Sequence, residues 1–241
     1  MNEKKWVFNA DEYLNQKYIE TIKDSDSCDL TLPEYSPPLD GQEAKYFLLG
    51  LEEGLFEVDA NGYVQSKLLP KPPKNAERQK MIQLFWNFKG GKRRLYREGF
   101  CQLATASYLS IYHGWDISQI EMEPDIKNYG NLAYATDILV KHDRGTVAVC
   151  CEVKKNDKEF EKLIDAFRHC CARGPHEKHD CEYSRDHSKY EMCEKLRPLY
   201  FFATSPGRQL CFNLEYENGI INLHRLESLP QKSEILGGKN V

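Results

Sequence analysis

Short apolar runs along the chain predict β-strands. Two of them surround a polar turn at 141–145: Thr-Asp-Ile-Leu-Val occupies 136–140, and Thr-Val-Ala-Val-Cys-Cys-Glu-Val occupies 146–153. Residues 199–204 are almost entirely apolar, which is typical of a strand buried on both faces. A shorter run at 117–122 predicts a further strand. Turn residues between apolar runs predict two hairpins, one over 55–66 and one over 210–226.

Apolar residues spaced three and four apart predict helices between these strands. A helix over 94–113 ends at Gly114, and a helix over 157–171 follows the second strand of the central pair. A helix over 75–88 is predicted before Gly90-Gly91. In the N-terminal region, residues 10–23 predict one short helix, and the prolines that follow predict an irregular arm up to residue 45.

From residue 94 onwards the predicted order is helix, three strands, helix, strand and hairpin. This order predicts an α/β (α+β) fold with a central mixed β-sheet flanked by helices. We expect an acidic N-terminal arm and β-hairpin at 1–70, a core at 71–230 with a Cys/His-rich insertion at 172–197, and a C-terminal tail at 231–241.

Composition favours a water-soluble chain. Hydrophobic residues make up 41% of the 241 positions, which is enough for a core, and no apolar run is long enough to span a membrane. The start of the chain is polar and lacks the apolar centre of a signal peptide, so a cytoplasmic location is expected. In that compartment the nine cysteines are expected to be buried thiols or metal ligands.

Charge is distributed unevenly around a formal net value of −4. Residues 1–66 hold fourteen Asp or Glu against five Lys or Arg, whereas residues 71–97 hold nine Lys or Arg against one Glu. A basic segment of this kind attracts phosphate groups whatever the overall charge. A solvated helix face and loop would give the same pattern.

The central strand pair carries the candidate chemistry. Asp137 lies in the first strand, and Glu152 and Lys154 lie near the end of the second. Because strand side chains alternate between faces, Glu152 and Lys154 should point to the same side. Two acids and a lysine at one sheet edge could hold a divalent cation and activate a water, so phosphodiester cleavage is the leading hypothesis.

These residues, over about 94–204, resemble the PD-(D/E)XK nuclease superfamily, whose fold is the restriction-endonuclease-like fold. Its motif is an acid on one strand, followed on the next strand by Asp or Glu, any residue and Lys. The resemblance implies that Asp137, Glu152 and the Val153 carbonyl bind Mg²⁺ or Mn²⁺, and that Lys154 orients or deprotonates the attacking water. Glu98 and Gln102, on the preceding helix, would assist in positioning the metal or the water.

Two features depart from the superfamily pattern. Thr136 precedes the first acid, Asp137, where a proline is common in the superfamily. Asp125, which follows Pro124, is therefore an alternative candidate for the first acid. The Gln and Tyr that mark the exonuclease branch are absent from the helix after Lys154, which favours an endonuclease. The resemblance further implies products with 5′-phosphate and 3′-hydroxyl ends.

We expect the substrate to be a nucleic acid, DNA more than RNA, and a homodimer is compatible with double-strand cleavage. The candidate nucleic-acid-binding residues are basic positions near the motif: Lys89, Lys92, Arg93, Arg94, Arg97 and Lys155.

The insertion contains a dense group of cysteines and histidines. A tetrahedral zinc site needs four such ligands, and the expected set is Cys171, His179, Cys181 and Cys193, with His176 as a substitute. The spacing also fits a polar loop with incidental thiols, which is the interpretation we favour. In a third interpretation His176, His179, His187 and Lys189 line a nucleic-acid path without metal.

The sequence thus predicts a Mg²⁺-dependent DNA endonuclease of restriction, defence or repair type. Two other functions stay open. One is a catalytically inactive nucleic-acid-binding module of the same fold. The other is a zinc-organised interaction domain, which would lose its fold when the metal is removed.

Overall fold

The computed structural model describes residues 2–22, 31–69, 82–87, 93–125, 129, 136–142, 145–184 and 186–237. Within these residues the protein is an α+β protein with a six-stranded mixed sheet, two small two-stranded sheets and six α-helices. The predicted fold class, a mixed sheet flanked by helices, is confirmed to this extent. No helix in the described part of the chain is long and apolar enough to cross a bilayer.

The described residues begin with two helices and end with a hairpin and a short helix. From the N-terminus, its elements are α1 (Glu3–Ile22), α2 (Gly41–Glu52), β1 (Phe56–Val58), β2 (Val64–Ser66), β3 (Phe85–Asn87), β4 (Arg93–Leu95), α3 (Arg97–Ile111), a 3-10 helix (Ile117–Gln119), β5 (Ile120–Met122), β6 (Ile138–Lys141), β7 (Val147–Val153), α4 (Asp157–Arg173), a second 3-10 helix (Lys178–Asp180), α5 (His187–Leu196), β8 (Tyr200–Ser205), β9 (Arg208–Glu217), β10 (Ile220–Leu226) and α6 (Lys232–Gly237).

The main sheet has the strand order β10-β9-β8-β7-β6-β5. The β7–β8 pair is parallel and the other neighbours are antiparallel. A parallel pair needs a long crossover, and α4, the second 3-10 helix and α5 provide it. All seven residues of β7 are buried, because this central strand is covered on both faces.

Two apolar clusters lie on opposite faces of the sheet. The first combines α1, α2 and α3 with sheet residues such as Val149 and Cys151, and it includes Phe47 of α2 stacked on Phe100 of α3. The second combines α4 and α5 with Cys150 and Phe201. The N-terminal helices therefore belong to the same core as the sheet. The eight cysteines in the described segments are free thiols, and all are buried.

Four local predictions differ from the structure, and three of them concern α2, α5 and Asp137. The region predicted as an irregular arm ends in α2, which begins at a capping box. In this box the Asp40 carboxylate accepts hydrogen bonds from the backbone N–H groups of Gln42 (2.9 Å) and Glu43 (3.3 Å). The Glu43 carboxylate in turn accepts a hydrogen bond from the Asp40 N–H at 2.8 Å. The insertion contains α5, and Asp137 lies one residue before β6 rather than inside it.

The predicted helix over 75–88 is wrong where the structure describes it, and residues 75–81 and 88 lie outside the described segments. Gln83 bridges to Tyr63, and the Leu84 N–H donates to the Gly62 carbonyl at 2.8 Å. β3 then pairs with β4. Pairing with the earlier hairpin and with β4 satisfies these backbone groups, so tertiary hydrogen bonds decide the conformation.

Candidate active site and Cys/His metal group

The candidate active site lies at the edge of the sheet where β6 begins and β7 ends. Ile138 pairs with Cys151, so Asp137 and Glu152 come from neighbouring positions on antiparallel strands. The Asp137 Oδ2 atom accepts a hydrogen bond from the Val153 N–H at 2.6 Å, which fixes this carboxylate against β7. The Glu152 side chain is fully buried. The two carboxylates therefore face one small space.

Lys154 joins the two acids. Its Nζ atom lies 3.2 Å from Glu152 Oε2 and 3.7 Å from Asp137 Oδ2, and it donates to the Val153 carbonyl at 3.0 Å. The predicted shared face of Glu152 and Lys154 agrees with this contact. Asp137 Oδ2 and Glu152 Oε2 both lie within 3.7 Å of Lys154 Nζ. Two carboxylates more than about 8 Å apart could not share one cation, and these two oxygens are closer than that.

A second ammonium group reaches the same acid from the insertion. Lys189 of α5 places its Nζ atom 2.6 Å from Glu152 Oε1, and its side chain is only 13% exposed. The sequence suggested Lys189 only as part of a nucleic-acid path. No local spacing relates it to Glu152, because a whole helix and loop separate them, so only the fold reveals the pair.

Helix α3 supplies an amide that links two acids. Gln102 Nε2 donates to Asp137 Oδ1 at 3.0 Å and to Glu123 Oε1 at 2.8 Å. Glu123 was missed by the sequence analysis, although it stands next to Pro124-Asp125, the alternative candidate for the first acid. The signal that could have found it is its place directly after β5, the neighbour of β6. Glu98 lies one turn before Gln102 on α3.

Burial and neighbouring charges set the ionisation of these groups. Burial, reinforced by the Glu152 charge, raises the pKa of Asp137 to about 7. Burial also acts to raise the pKa of Glu152, but the ammonium groups of Lys189 and Lys154 outweigh it and hold that pKa below its usual value. Burial acts to lower the pKa of Lys154, yet Glu152 and Asp137 raise it, so Lys154 is protonated at neutral pH.

The predicted nucleic-acid-binding residues have different environments. Arg94 of β4 is exposed, and Lys155 is exposed and lies 3.1 Å from Glu159. Arg93 Nη1 donates to the Thr21 carbonyl at 2.5 Å. Lys89 and Lys92 lie outside the described residues.

Arg97 requires a correction, because its side chain is 4% exposed and belongs to the core. Its Nη2 atom lies 2.6 Å from Glu43 Oε1, and its guanidinium also donates to the carbonyls of Pro37 (3.0 Å) and Pro38 (3.3 Å). These bonds tie the start of α2 to the start of α3. Arg97 therefore has a structural position and is not presented to a ligand.

The Cys/His group differs from the predicted ligand set. A buried Cys2His2 group of Cys170, His176, Cys181 and His187 could bind a metal such as zinc, since its ligand atoms all lie within 4.8 Å of one another. Of the predicted ligands Cys181 belongs to it, and so does His176, which was predicted as a substitute. Cys171 and Cys193 are buried outside the group, and the His179 side chain is 78% exposed beside Asp180.

Helix phase explains the difference between neighbouring cysteines. Cys170 and Cys171 both lie in the last turn of α4, but adjacent helical residues point about 100° apart, and Cys170 is the one whose sulfur lies near the other three ligand atoms.

The comparisons with known proteins found no match: no family model, curated protein or solved structure matches the chain.

Proposed function

We propose that the protein is a metal-dependent nuclease with a restriction-endonuclease-like core, which hydrolyses phosphodiester bonds of nucleic acid and acts as a DNA endonuclease. The observation that carries this proposal is the convergence of Asp137 and Glu152 on Lys154 at one sheet edge. The Val153 carbonyl adds a third oxygen at the same place. Oxygen donors of this kind are the ligands that Mg²⁺ and Mn²⁺ prefer.

The charge of the group fits a divalent cation. Four acids (Glu98, Glu123, Asp137 and Glu152) and two lysines (Lys154 and Lys189) interact there, which gives a formal charge of −2 when all are ionised. One Mg²⁺ ion would neutralise it. Asp137, Glu152 and the Val153 carbonyl would hold the ion, which when bound supplies an acidified water and a partner for a phosphate oxygen.

The chain's own residues supply the remaining parts of the reaction. In hydrolysis the oxygen of water bonds to phosphorus and the water loses a proton, the bond from phosphorus to the 3′ oxygen breaks, and that oxygen takes up a proton. Lys154, held in its cationic form, stabilises the negative charge that develops on the phosphate. Gln102 holds Asp137 and Glu123 in place through its amide group.

An aromatic pair beside the acids supports nucleic acid as the substrate. Trp86 of β3 is 44% exposed and stacks on Tyr96, with ring centroids 4.3 Å apart and planes at 11°. Arg94 lies opposite Trp86 in the β3–β4 pair. Exposed aromatic rings next to basic groups bind unpaired bases and backbone phosphates. Tyr96 directly precedes α3, which carries Glu98 and Gln102.

The decisive experiment compares two adjacent lysines. Wild type, Lys154→Ala and Lys155→Ala are incubated with supercoiled plasmid, single-stranded DNA and RNA in Mg²⁺, Mn²⁺ or EDTA. At saturating nucleic acid, where the predicted binding role of Lys155 no longer limits the rate, we expect metal-dependent cleavage by wild type and by Lys155→Ala. The rate should be at least about 100-fold lower for Lys154→Ala, because a charge that stabilises the transition state is lost. Equal cleavage by Lys154→Ala would contradict the assignment.

A second function is favoured by one specific observation. Lys154 and Lys189 already satisfy the buried Glu152, so the protein can hold this acid without a bound cation. A catalytically inactive nucleic-acid-binding module would have the same arrangement. Calorimetric titration with Mn²⁺ separates the two: binding that disappears in Asp137→Asn supports the nuclease, and absence of binding to a folded, nucleic-acid-binding wild type supports the module.

A further inference from the structure

The Cys2His2 group has the chemistry of a closed structural zinc site. Cys170 belongs to the last turns of α4, His176 and Cys181 to the connection, and His187 is the first residue of α5. Tetrahedral zinc bonds of about 2.0–2.3 Å place ligand atoms roughly 3.3–3.8 Å apart. The sulfur atoms of Cys170 and Cys181 are already 3.5 Å apart, and the whole set lies within 4.8 Å.

The contacts of the two histidines leave at least one nitrogen of each ring available to a metal. The Nδ1 atom of His176 donates to the Gly174 carbonyl at 2.6 Å, so the neutral ring keeps its lone pair on Nε2. The Nε2 atom of His187 lies 3.4 Å from Glu191 Oε1 without forming a hydrogen bond, so either ring nitrogen of His187 is available to a metal. Metal-binding histidines commonly have their second nitrogen bonded to a carbonyl or carboxylate, as His176 does.

Buried ring nitrogens without a hydrogen-bond partner are an independent sign of a metal site. His176 Nε2 and both ring nitrogens of His187 are buried, and none of the three has a hydrogen-bond partner within the described residues. A buried polar atom without a partner costs free energy, so native proteins rarely leave two side by side. The rings themselves lie close together, with centroids 4.5 Å apart.

The position of the group connects it to the candidate active site. Lys189 follows His187 by two residues on the first turn of α5, and it reaches the buried carboxylate of Glu152. We propose that Cys170, His176, Cys181 and His187 bind one zinc ion, and that this ion fixes the start of α5 so that Lys189 holds Glu152. Lys189 is then a positioning residue, and its effect on catalysis rests on the proposed nuclease function.

Zinc content tests the first half without any nucleic acid. The full chain is purified from zinc-supplemented cells, and its metals are measured by mass spectrometry. Wild type is expected to hold about one equivalent of zinc, Cys181→Ser much less, and Cys171→Ser, a buried thiol outside the group, as much as wild type. Negligible zinc in wild type, or equal zinc in Cys181→Ser, would overturn the site.

Hydrogen exchange tests whether zinc positions α5. Amide exchange is measured on wild type before and after removal of zinc with a chelator, so no variant has to fold. Loss of protection confined to about 174–193 and to the end of β7 is expected. Unchanged amide exchange after removal of zinc would overturn the positioning role. Loss of protection along the whole chain would overturn it too, since zinc would then stabilise the entire fold rather than the contact between Lys189 and Glu152.

Metal dependence of cleavage tests the role of Lys189. Lys189→Met is expected to raise the Mg²⁺ concentration for half-maximal cleavage at least about tenfold, because Glu152 loses a partner that orients it. Lys189→Arg keeps the charge and should restore the wild-type value, and Lys195→Met on the same helix should leave it unchanged. Chelation of zinc should reproduce the Lys189→Met shift.

These outcomes separate the two proposals. An unchanged half-maximal Mg²⁺ concentration in Lys189→Met, with cleavage present, overturns the positioning role. If wild type does not cleave, the nuclease proposal fails, and zinc content and hydrogen exchange still decide whether the ion is bound and fixes α5.

Discussion

Replacing Arg97 by Met should destabilise the protein strongly and leave its affinity for nucleic acid unchanged. The Arg97 and Glu43 side chains are 4% and 9% exposed, and they meet at 2.6 Å. Breaking a buried ion pair by removing one partner costs about 3–5 kcal/mol, because the other charge stays buried without compensation. The carbonyls of Pro37 and Pro38 lose their donor as well.

Urea unfolding followed by circular dichroism measures this loss. With a denaturant slope of about 3 kcal/mol/M, a loss of about 4 kcal/mol lowers the midpoint by about 1.3 M. Arg94→Met is the matched control, because Arg94 is exposed on β4. The unfolding free energy of this variant should stay within about 0.5 kcal/mol of wild type, whereas its affinity for nucleic acid should fall. The double variant Arg97→Met/Glu43→Gln should recover part of the loss, since no buried charge is then left unpaired.

The opposite pattern would contradict the structural position of Arg97. If Arg97→Met weakens nucleic-acid binding while the urea midpoint is unchanged, Arg97 is available to a ligand, as the sequence alone suggested. Affinity is measured by fluorescence anisotropy with labelled DNA at a temperature where the variant is still folded.

Three further predictions concern other parts of the fold. Gly50→Ala should lower the unfolding free energy by about 1–3 kcal/mol, since the added Cβ atom would clash with the Ser107 hydroxyl and would lie 2.6 Å from the Phe56 ring. An unchanged urea midpoint would contradict this close contact. Gln102→Leu should weaken Mg²⁺ binding about 10–100-fold in calorimetric titration, because the acids it orients lose their donor, and equal binding would show that the amide is dispensable. Burial lowers the pKa of His113, so as the pH falls below about 6.5 the unfolded chain takes up this proton before the folded protein does, and stability is lost. Between pH 7 and pH 5 the urea midpoint should therefore fall less in His113→Asn than in wild type or in the exposed-site control His224→Asn; identical slopes would exclude His113 as the cause.

The alternation of residues along β6 and β7 already determined the central part of the candidate site. A strand has a side-chain period of two, so Glu152 and Lys154 had to share a face once β7 formed. The short turn after β6 makes these strands antiparallel neighbours, which brings Asp137 to the same edge. Both hairpins and α4 likewise follow from local turn and periodicity signals.

Tertiary structure alone decided which distant residues complete these groups. Lys189 and Glu123 join the acids because α5 and β5 pack beside β7 and β6, and no sequence spacing encodes that contact. Arg97 shows the same limit: its basic neighbours suggested a surface role, yet the packing of α2 on α3 buries it against Glu43. The local sequence pattern determines which face of its own helix or strand a residue occupies. The burial of a side chain and its interaction partners depend instead on how the helices and strands pack, because packing brings together residues that are far apart in the chain.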